Sequence, residues 1–384
     1  MSVTAALGFE AAGVHAGLRK AAPDLALVRS AAPATGAAMF TTNRVQAAPV
    51  VVSRRALAAA DPQAVVVNSG VANAATGAQG ELDARATAAE TARLLDLHAE
   101  EVLVLSTGVI GLPLPLDKVL AGLRVAAAAL SPEGGDDAAG AILTTDTRTK
   151  QAAVARDGFT VGGMTKGSGM IHPCLATMLA VVTTDYPLAR GEADAFLRAA
   201  VDESFNRISV DGECSTNDCV VLLANGASGA RRDDAAFAAA LGAVCADLSR
   251  QIVADGEGAT VLLEIEVSGA ATTGEAEAIA SRVATSPLVK TAAFGRDPNW
   301  GRVVAAAGSA RWNGGFARLE PDRLTVSFDG VPVYVTGTPS GTTPELGGAA
   351  CRIELDLGLG DGRASYLASD LSYDYVRVNA EYRT

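Results

Sequence analysis

The sequence predicts an α/β protein whose sheets are rich in antiparallel pairing. Three observations carry this expectation: short apolar runs dense in Val, Leu and Thr, Ala-rich stretches with apolar residues at three- and four-residue spacing, and two Asp-Gly pairs that each divide strand-like segments. The runs at 64–67 (AVVV), 101–106 (EVLVLS), 178–184 (MLAVVTT), 219–224 (CVVLLA) and 260–267 (TVLLEIEV) read as largely buried strands. Between them, 80–97, 115–130, 191–204, 234–254 and 274–285 read as helices, because alanine costs least in a helix and acidic residues near several starts suit the N-terminal dipole. Asp157–Gly158 divides 151–156 from 159–163, and Asp329–Gly330 divides 323–328 from 331–335. Such pairs accept the positive φ of a tight hairpin, so a purely parallel, doubly wound sheet is disfavoured. The stretches 131–140 (SPEGGDDAAG) and 336–348 (TGTPSGTTPELGG) read as surface loops, the first flexible and acidic.

Composition bounds the function. A chain of 384 residues, 49% apolar and 19% charged, can bury a sizeable core. With 31 basic and 43 acidic side chains the net charge is −12, which repels phosphate backbones and anionic membranes and argues against nucleic acid as a partner. The five cysteines (174, 214, 219, 245, 351) show no CxxC spacing, so neither a disulfide framework nor a zinc site is expected and a reducing cytoplasm fits. The first basic residue is Arg19, so no secretory leader is expected; the apolar stretch 167–184 contains Gly, Ser, His, Pro and Thr and is not expected to span a membrane. Three histidines (15, 98, 172) leave little material for imidazole chemistry.

Three turns stand out. In 162–185 (GGMTKGSGMIHPCLATMLAVVTTD) a glycine-rich turn with one lysine, Lys166, leads to Thr177 at the head of a strand, where reactive side chains are commonly displayed. The spacing is not that of a P-loop, and the segment reads equally as a tight turn with a solvated lysine. The turn 106–111 (STGVIG) offers the Thr107 hydroxyl and the Gly108 N–H to a developing oxyanion, or is an ordinary strand exit. In 255–260 (DGEGAT), Glu257 stands between glycines, able to reach a cationic ligand or to sit solvated at a helix end. His172 and Cys174 lack the neighbours that would make them a base or a nucleophile.

Together these stretches resemble the ornithine acetyltransferase (glutamate N-acetyltransferase) family. The resemblance runs through GFEAAGVHAGLRK, FTTNRVQAAPV (40–50), VVNSGVANAATG (66–77), STGVIG, TTDTRTK, KGSGMIHPCLATML, FNRISVDGECSTND, DGEGAT, SPLVKTAAFGRDPNWGR (286–302) and VNAEYRT, essentially the whole length. It implies an N-terminal-nucleophile-like αββα sandwich that cleaves itself between Ala176 and Thr177, giving an α chain of 1–176 and a β chain of 177–384 that assemble as two α and two β chains. The new N-terminal Thr177 would be nucleophile, with its own α-amine as base, which accounts for the missing His–Asp partnership. Thr107 and Gly108 would form the oxyanion hole, and Thr147, Lys166, Thr177, Glu257, Asn379 and Thr384 would bind substrate, Lys166 at the α-carboxylate and Glu257 at the ammonium of ornithine. The reaction implied is ping-pong transfer of acetyl from N2-acetylornithine to glutamate in arginine biosynthesis. It needs no metal or redox cofactor, with acetyl-CoA as a potential second donor.

The chain departs from the family pattern at Cys174 (usually Asn), Val71 (Asn), Ala75 (Cys) and Glu213–Cys214 (Asp-Thr), none of which replaces the nucleophile, the oxyanion pair or Lys166. Other readings stay open at this level: a self-processing aminopeptidase or amidase, a non-catalytic paralogue, and an acyltransferase with another donor or acceptor.

Overall fold

A computed structural model describes residues 2–172 and 178–381. They fall into two compact units, one built from Met1–Asn206 and Glu213–Ile252, the other from Arg207–Gly212 and Val253–Tyr382.

In chain order the first unit contains β1 (Phe9–Val14), β2 (Leu25–Ser30), β3 (Thr35–Phe40), α1 (Ala48–Ala59), β4 (Ala64–Asn68), α2 (Gly77–Leu95), β5 (Val102–Ser106), α3 (Leu116–Ala128), α4 (Gly135–Ala141), β6 (Lys150–Arg156), β7 (Phe159–Lys166), β8 (Leu179–Thr184) and α5 (Ala193–Asp202). The two-residue β9 (Ile208–Ser209) belongs to the second unit, after which β10 (Cys219–Ala224) and α6 (Asp234–Ala254) return to the first. One sheet has the order β1-β2-β4-β5, the other β3-β10-β8-β7-β6. Only β4–β5 and β8–β10 pair in parallel; the remaining ladders of both sheets are antiparallel.

Successive strand side chains point to opposite faces, and that alternation builds the layers. Val65, Val67, Leu103 and Leu105 of the first sheet share one core with Met164, Leu179, Val181, Val221 and Leu223 of the second. Their neighbours Val66, Val102 and Val104 turn the other way, onto Ala88 and Ala92 of α2 and Val119 and Leu123 of α3. On the far face of the second sheet Phe237 of α6 stacks on Tyr186 and meets Phe159 edge-on. A Cβ at Gly163 would stand 3.0 Å from Leu248 of α6, so the missing side chain lets helix and sheet approach. The first unit is thus the expected αββα sandwich, with antiparallel-rich sheets. By length and composition α6 could cross a membrane; here Phe237, Leu241, Val244, Leu248 and Ile252 are fully buried in the protein.

The second unit comprises β11 (Leu262–Ala270), α7 (Thr273–Ala284), α8 (Pro287–Phe294), α9 (Trp300–Ala307), the hairpin β12 (Arg311–Trp312) and β13 (Gly315–Phe316), β14 (Thr325–Phe328), β15 (Val331–Val335), β16 (Thr338–Pro339), β17 (Ala350–Asp356), β18 (Gly362–Ser369) and α10 (Tyr373–Glu381). Its seven-stranded sheet runs β16-β15-β14-β17-β11-β18-β9. α7 and α9 pack on it through Ile279, Val283 and Val303, which join Leu263, Ile265, Val326 and Ile353 in one core. Side-chain caps start α7, α8 and α9, Thr272, Ser286 and Asn299 each accepting a backbone N–H of the first turn.

Both Asp-Gly hairpins are present, joining β6 to β7 and β14 to β15 with positive φ at each turn residue. One expectation is overturned: 131–140 is not a flexible loop. Gly134 and Gly135 pack so closely that a Cβ would stand 1.9 Å from Ala11 O and from Ser2 Oγ respectively, and α4 then inserts Ala138, Ala139 and Ala141 into the core.

Candidate active site

The first unit's candidate residues gather where strands of the two sheets end. β5 finishes at Ser106, and Thr107 and Gly108 form the turn beyond it. Thr107 donates its N–H to Asn68 O (2.9 Å). Its hydroxyl and the Gly108 N–H have no hydrogen-bond partner among the described residues, so both donors of the expected oxyanion hole are uncommitted there. Gly108 has φ +130°, and a Cβ on it would stand 2.2 Å from Gly70 C. Only glycine lets the turn lie against that backbone.

A polar chain ties this turn to the second sheet. Ser106 Oγ donates to Asn68 Oδ1 (2.5 Å), and Asn217 Nδ2 donates to Ser106 O (2.8 Å) and Ala72 O (2.7 Å). The next residue, Asp218, accepts the Met178 N–H at Oδ1 (3.0 Å), while Cys219 N–H donates to Met178 O (3.2 Å). Met178 is thereby fixed at the head of β8 from both sides. Lys166, the last residue of β7, pairs with Leu179. The two strands that flank residues 167–178 therefore meet at their site ends.

Lys166 is 2% exposed, and burial of a lysine calls for anionic partners. One is Asp146, whose Oδ2 lies 3.9 Å from Lys166 Nζ while its Oδ1 is 2.6 Å from Lys150 Nζ. Burial alone would raise the Asp146 carboxyl; the charges of Lys166 and Lys150 and the hydrogen bonds from Lys150 and the Thr144 N–H outweigh it and hold the group well below the usual carboxylate range. Thr147 is exposed on the turn between Asp146 and β6. His172 is half-buried; burial lowers its pKa against the pull of Glu213 and so favours the neutral ring. Cys219 and Cys245 are buried thiols pushed up by burial, Cys245 to about 12, the opposite of what a nucleophile needs.

Within the second unit, Asn379 Nδ2 on α10 donates to Glu257 Oε2 (2.8 Å), so two predicted substrate residues are in direct contact. The Glu257 turn is locked to the start of α10: Ser372 Oγ donates to Gly258 O (2.6 Å), and Gly258, at φ +66°, approaches Tyr375 N too closely for any side chain. Ala176, Thr177 and Cys174 lie outside the described residues, as does Thr384.

The residues that sequence reasoning left without a role are Asn68, Asp146, Lys150, Asn217 and Asp218. Each lies inside a stretch already singled out, in VVNSGVANAATG, TTDTRTK and FNRISVDGECSTND, but nothing local says which polar side chain turns inward.

The profile of the ArgJ family matches residues 10–384. The chain belongs to the ArgJ family. The arginine biosynthesis bifunctional protein ArgJ of Streptomyces coelicolor is 48% identical over 387 residues, and that of Thermobifida fusca 47% identical over 388, each match spanning all of both chains. Among solved structures, the ornithine acetyltransferase of Mycobacterium tuberculosis in complex with ornithine is 47% identical to this ArgJ-family chain, with a TM-score of 0.44, covering 45% of this chain and 94% of that one.

Proposed function

We propose that this ArgJ-family protein cleaves itself at Ala176–Thr177 into chains of 1–176 and 177–384 and then transfers acetyl from N2-acetylornithine to glutamate through an ester on Thr177. The observation that carries the reading is the meeting, in the first unit, of two uncommitted oxyanion donors (Thr107 and Gly108), the buried ammonium of Lys166 and a strand head held by Asp218 one residue beyond Thr177.

In the first half-reaction the Thr177 α-amine takes the hydroxyl proton as Oγ1 attacks the acetyl carbonyl. Thr107 Oγ1–H and Gly108 N–H receive the oxyanion; the amide C–N bond then breaks, and the proton passes to the departing ornithine nitrogen. The amine of glutamate attacks the ester in reverse sequence and leaves as N-acetylglutamate. Donor and acceptor share an α-carboxylate, the group proposed for Lys166, so one cation serves both. Thr147 and Thr384 complete the proposed substrate residues, and Glu257, oriented by Asn379, is proposed for the ammonium of ornithine. This chemistry uses no metal or redox cofactor. That the relatives are called bifunctional supports a second activity, for which we propose acetyl-CoA as donor to glutamate. The family resemblance supports assembly as two α and two β chains in the cytoplasm.

The test is intact mass under denaturing conditions, with N-terminal sequencing, beside an acetyl-transfer assay. The expected result is two chains, one beginning Thr177-Met178-Leu179, and transfer that outpaces acetate release. Thr177→Ala is expected to give an uncut, inactive chain; normal processing in that variant would remove the nucleophile. Release of acetate faster than transfer to glutamate would instead make the protein a hydrolase.

A further inference from the structure

Glu257 is half-buried on a turn whose neighbours, Gly256 and Gly258, have no side chains with which to anchor it. A partly exposed carboxylate that is free to move attracts an ammonium only weakly, because screening and the cost of ordering the side chain offset most of the gain. Selective recognition of a cation there requires the turn to be held from outside.

Asp370, in the same second unit, does the holding. Leu262, the first residue of β11, pairs with Ser369, the last of β18. Beyond this pair the two segments stay in contact, one carrying 257–261 and the other leading into α10. Asp370, 3% exposed, joins them. Its N–H donates to Val261 O (3.0 Å), its Oδ1 accepts the N–H of Thr260 (2.8 Å) and of Val261 (3.2 Å), and its Oδ2 accepts the Thr260 hydroxyl (2.5 Å). Four hydrogen bonds to a two-residue stretch, three of them to a buried carboxylate, fix its position. The seam continues at Ser372, which donates to Gly258 O and accepts the Tyr375 N–H (3.2 Å), and it closes where Asn379 donates to Glu257. A buried lysine of α8 grips the residues on either side of Asp370. Lys290 Nζ donates to Ser369 O and, at 3.3 Å, to Ser369 Oγ, while its carbonyl accepts the Leu371 N–H (3.3 Å).

We infer that Asp370 is a positioning residue for donor selection: by clamping 260–261 to the segment that starts α10, it presents the Glu257 carboxylate, with Asn379, to the side-chain ammonium of the donor. The inference rests on the proposed role of Glu257 in acetyl transfer and deepens it, since the choice of a cationic side chain then depends on a carboxylate other than the one that meets the cation.

The test is donor discrimination on the self-cleaved enzyme, measured as kcat/KM for N2-acetylornithine over kcat/KM for N2-acetylnorleucine, in which a methyl group stands in place of the side-chain ammonium. In Asp370→Ala the ratio is expected to fall about tenfold, through a higher KM for acetylornithine with little change in kcat, while turnover of the analogue is unmoved. Asp370→Asn, which keeps an oxygen for the Thr260 and Val261 N–H groups, is expected to recover most of the ratio. Equal loss on both donors would show a merely structural clamp and overturn the proposal, as would an unchanged ratio. Should Asp370→Ala fail to fold or to cleave, Thr260→Val removes the hydroxyl bond to Oδ2 alone; a fall of about threefold in the ratio is then expected, and no fall overturns the inference. Glu257→Gln separates the two levels. If it leaves discrimination intact, the reading of Glu257 fails; if it abolishes discrimination while Asp370→Ala keeps it, only the present inference fails.

Discussion

Thr107 is 3% exposed, and its amide is already committed to Asn68 O, so what it can offer a substrate is the hydroxyl alone. That division makes a sharp expectation possible. Thr107→Ala removes one donor and leaves the Gly108 N–H, and the loss of one preorganised oxyanion donor elsewhere lowers kcat by about 100-fold or more. Both self-cleavage and transfer are expected to slow by roughly that factor, with Thr107→Ser retaining most of the rate; single-turnover kinetics on the cleaved enzyme and a time course of precursor mass read the two steps. A second expectation concerns Lys290, in the second unit. Burial lowers its pKa from 10.5 to about 8, against the pull of Asp370 and Asp211. The unfolded chain therefore holds this proton over a range in which the folded chain has released it, and the contribution of Lys290 to stability rises with pH between about 8 and 10.5. In Lys290→Met that part of the rise is expected to vanish from denaturant titrations at pH 8 and 10, compared with the unsubstituted protein. At this scale the sequence was only partly legible. Thr107, Gly108 and Lys166 stood out because a turn after a strand and a lone lysine among glycines are local features, whereas Asp146 and Asp218 take their meaning from partners up to 40 residues away.

Among the elements, the strands and helices with strong periodicity are those the sequence predicts. The run 234–254 is a helix over just those residues, and 64–67, 101–106 and 219–224 hold fully buried strands, since a long apolar period has few alternatives. β1 and β3 are not legible as strands because half of each is Ala or Gly, which carry little strand preference of their own and are held by their ladder partners. The same long-range packing hides α4 inside what reads locally as a loop. The β5 exit turn shows how an element is fixed by one atom that is absent. Gly108→Ala places a methyl group on the Gly70 backbone at a φ that other residues rarely adopt, so the turn must shift, at a cost of about 2 kcal/mol or more. We expect a lowered Tm together with a fall in kcat. A lowered Tm with unchanged kcat in the cleaved enzyme would show that the turn's position is irrelevant to the chemistry.

For the whole molecule, the proposed cut and the compact units do not coincide. Residues 1–176 and 177–384 would be the products, yet the first unit takes β7 from one side of that boundary and β8 and β10 from the other. β7 and β8 pair over six residues, Val161 with Thr184 through Lys166 with Leu179, and β10 pairs with β3 over six more. The apolar core between the sheets mixes the products further, with Val65, Leu103 and Met164 from one against Val181, Val221 and Leu223 from the other. Breaking one peptide bond leaves all of these contacts in place, and their burial is what stabilises the sandwich. The two products are therefore expected to remain one particle: native mass spectrometry should show them bound, and only denaturant should part them. Dissociation of freshly cut protein in native buffer would mean that the sheets do not share strands across the cut, and it would overturn the four-layer arrangement along with the proposal. The sharing also explains why a new N-terminus could serve as a nucleophile without the site opening. Asp218, in the later product, holds Met178, and Asn217 beside it holds Ser106 of the earlier one, so the turn that offers Thr107 and Gly108 stays fixed relative to the head of β8 whether or not the chain before it is continuous.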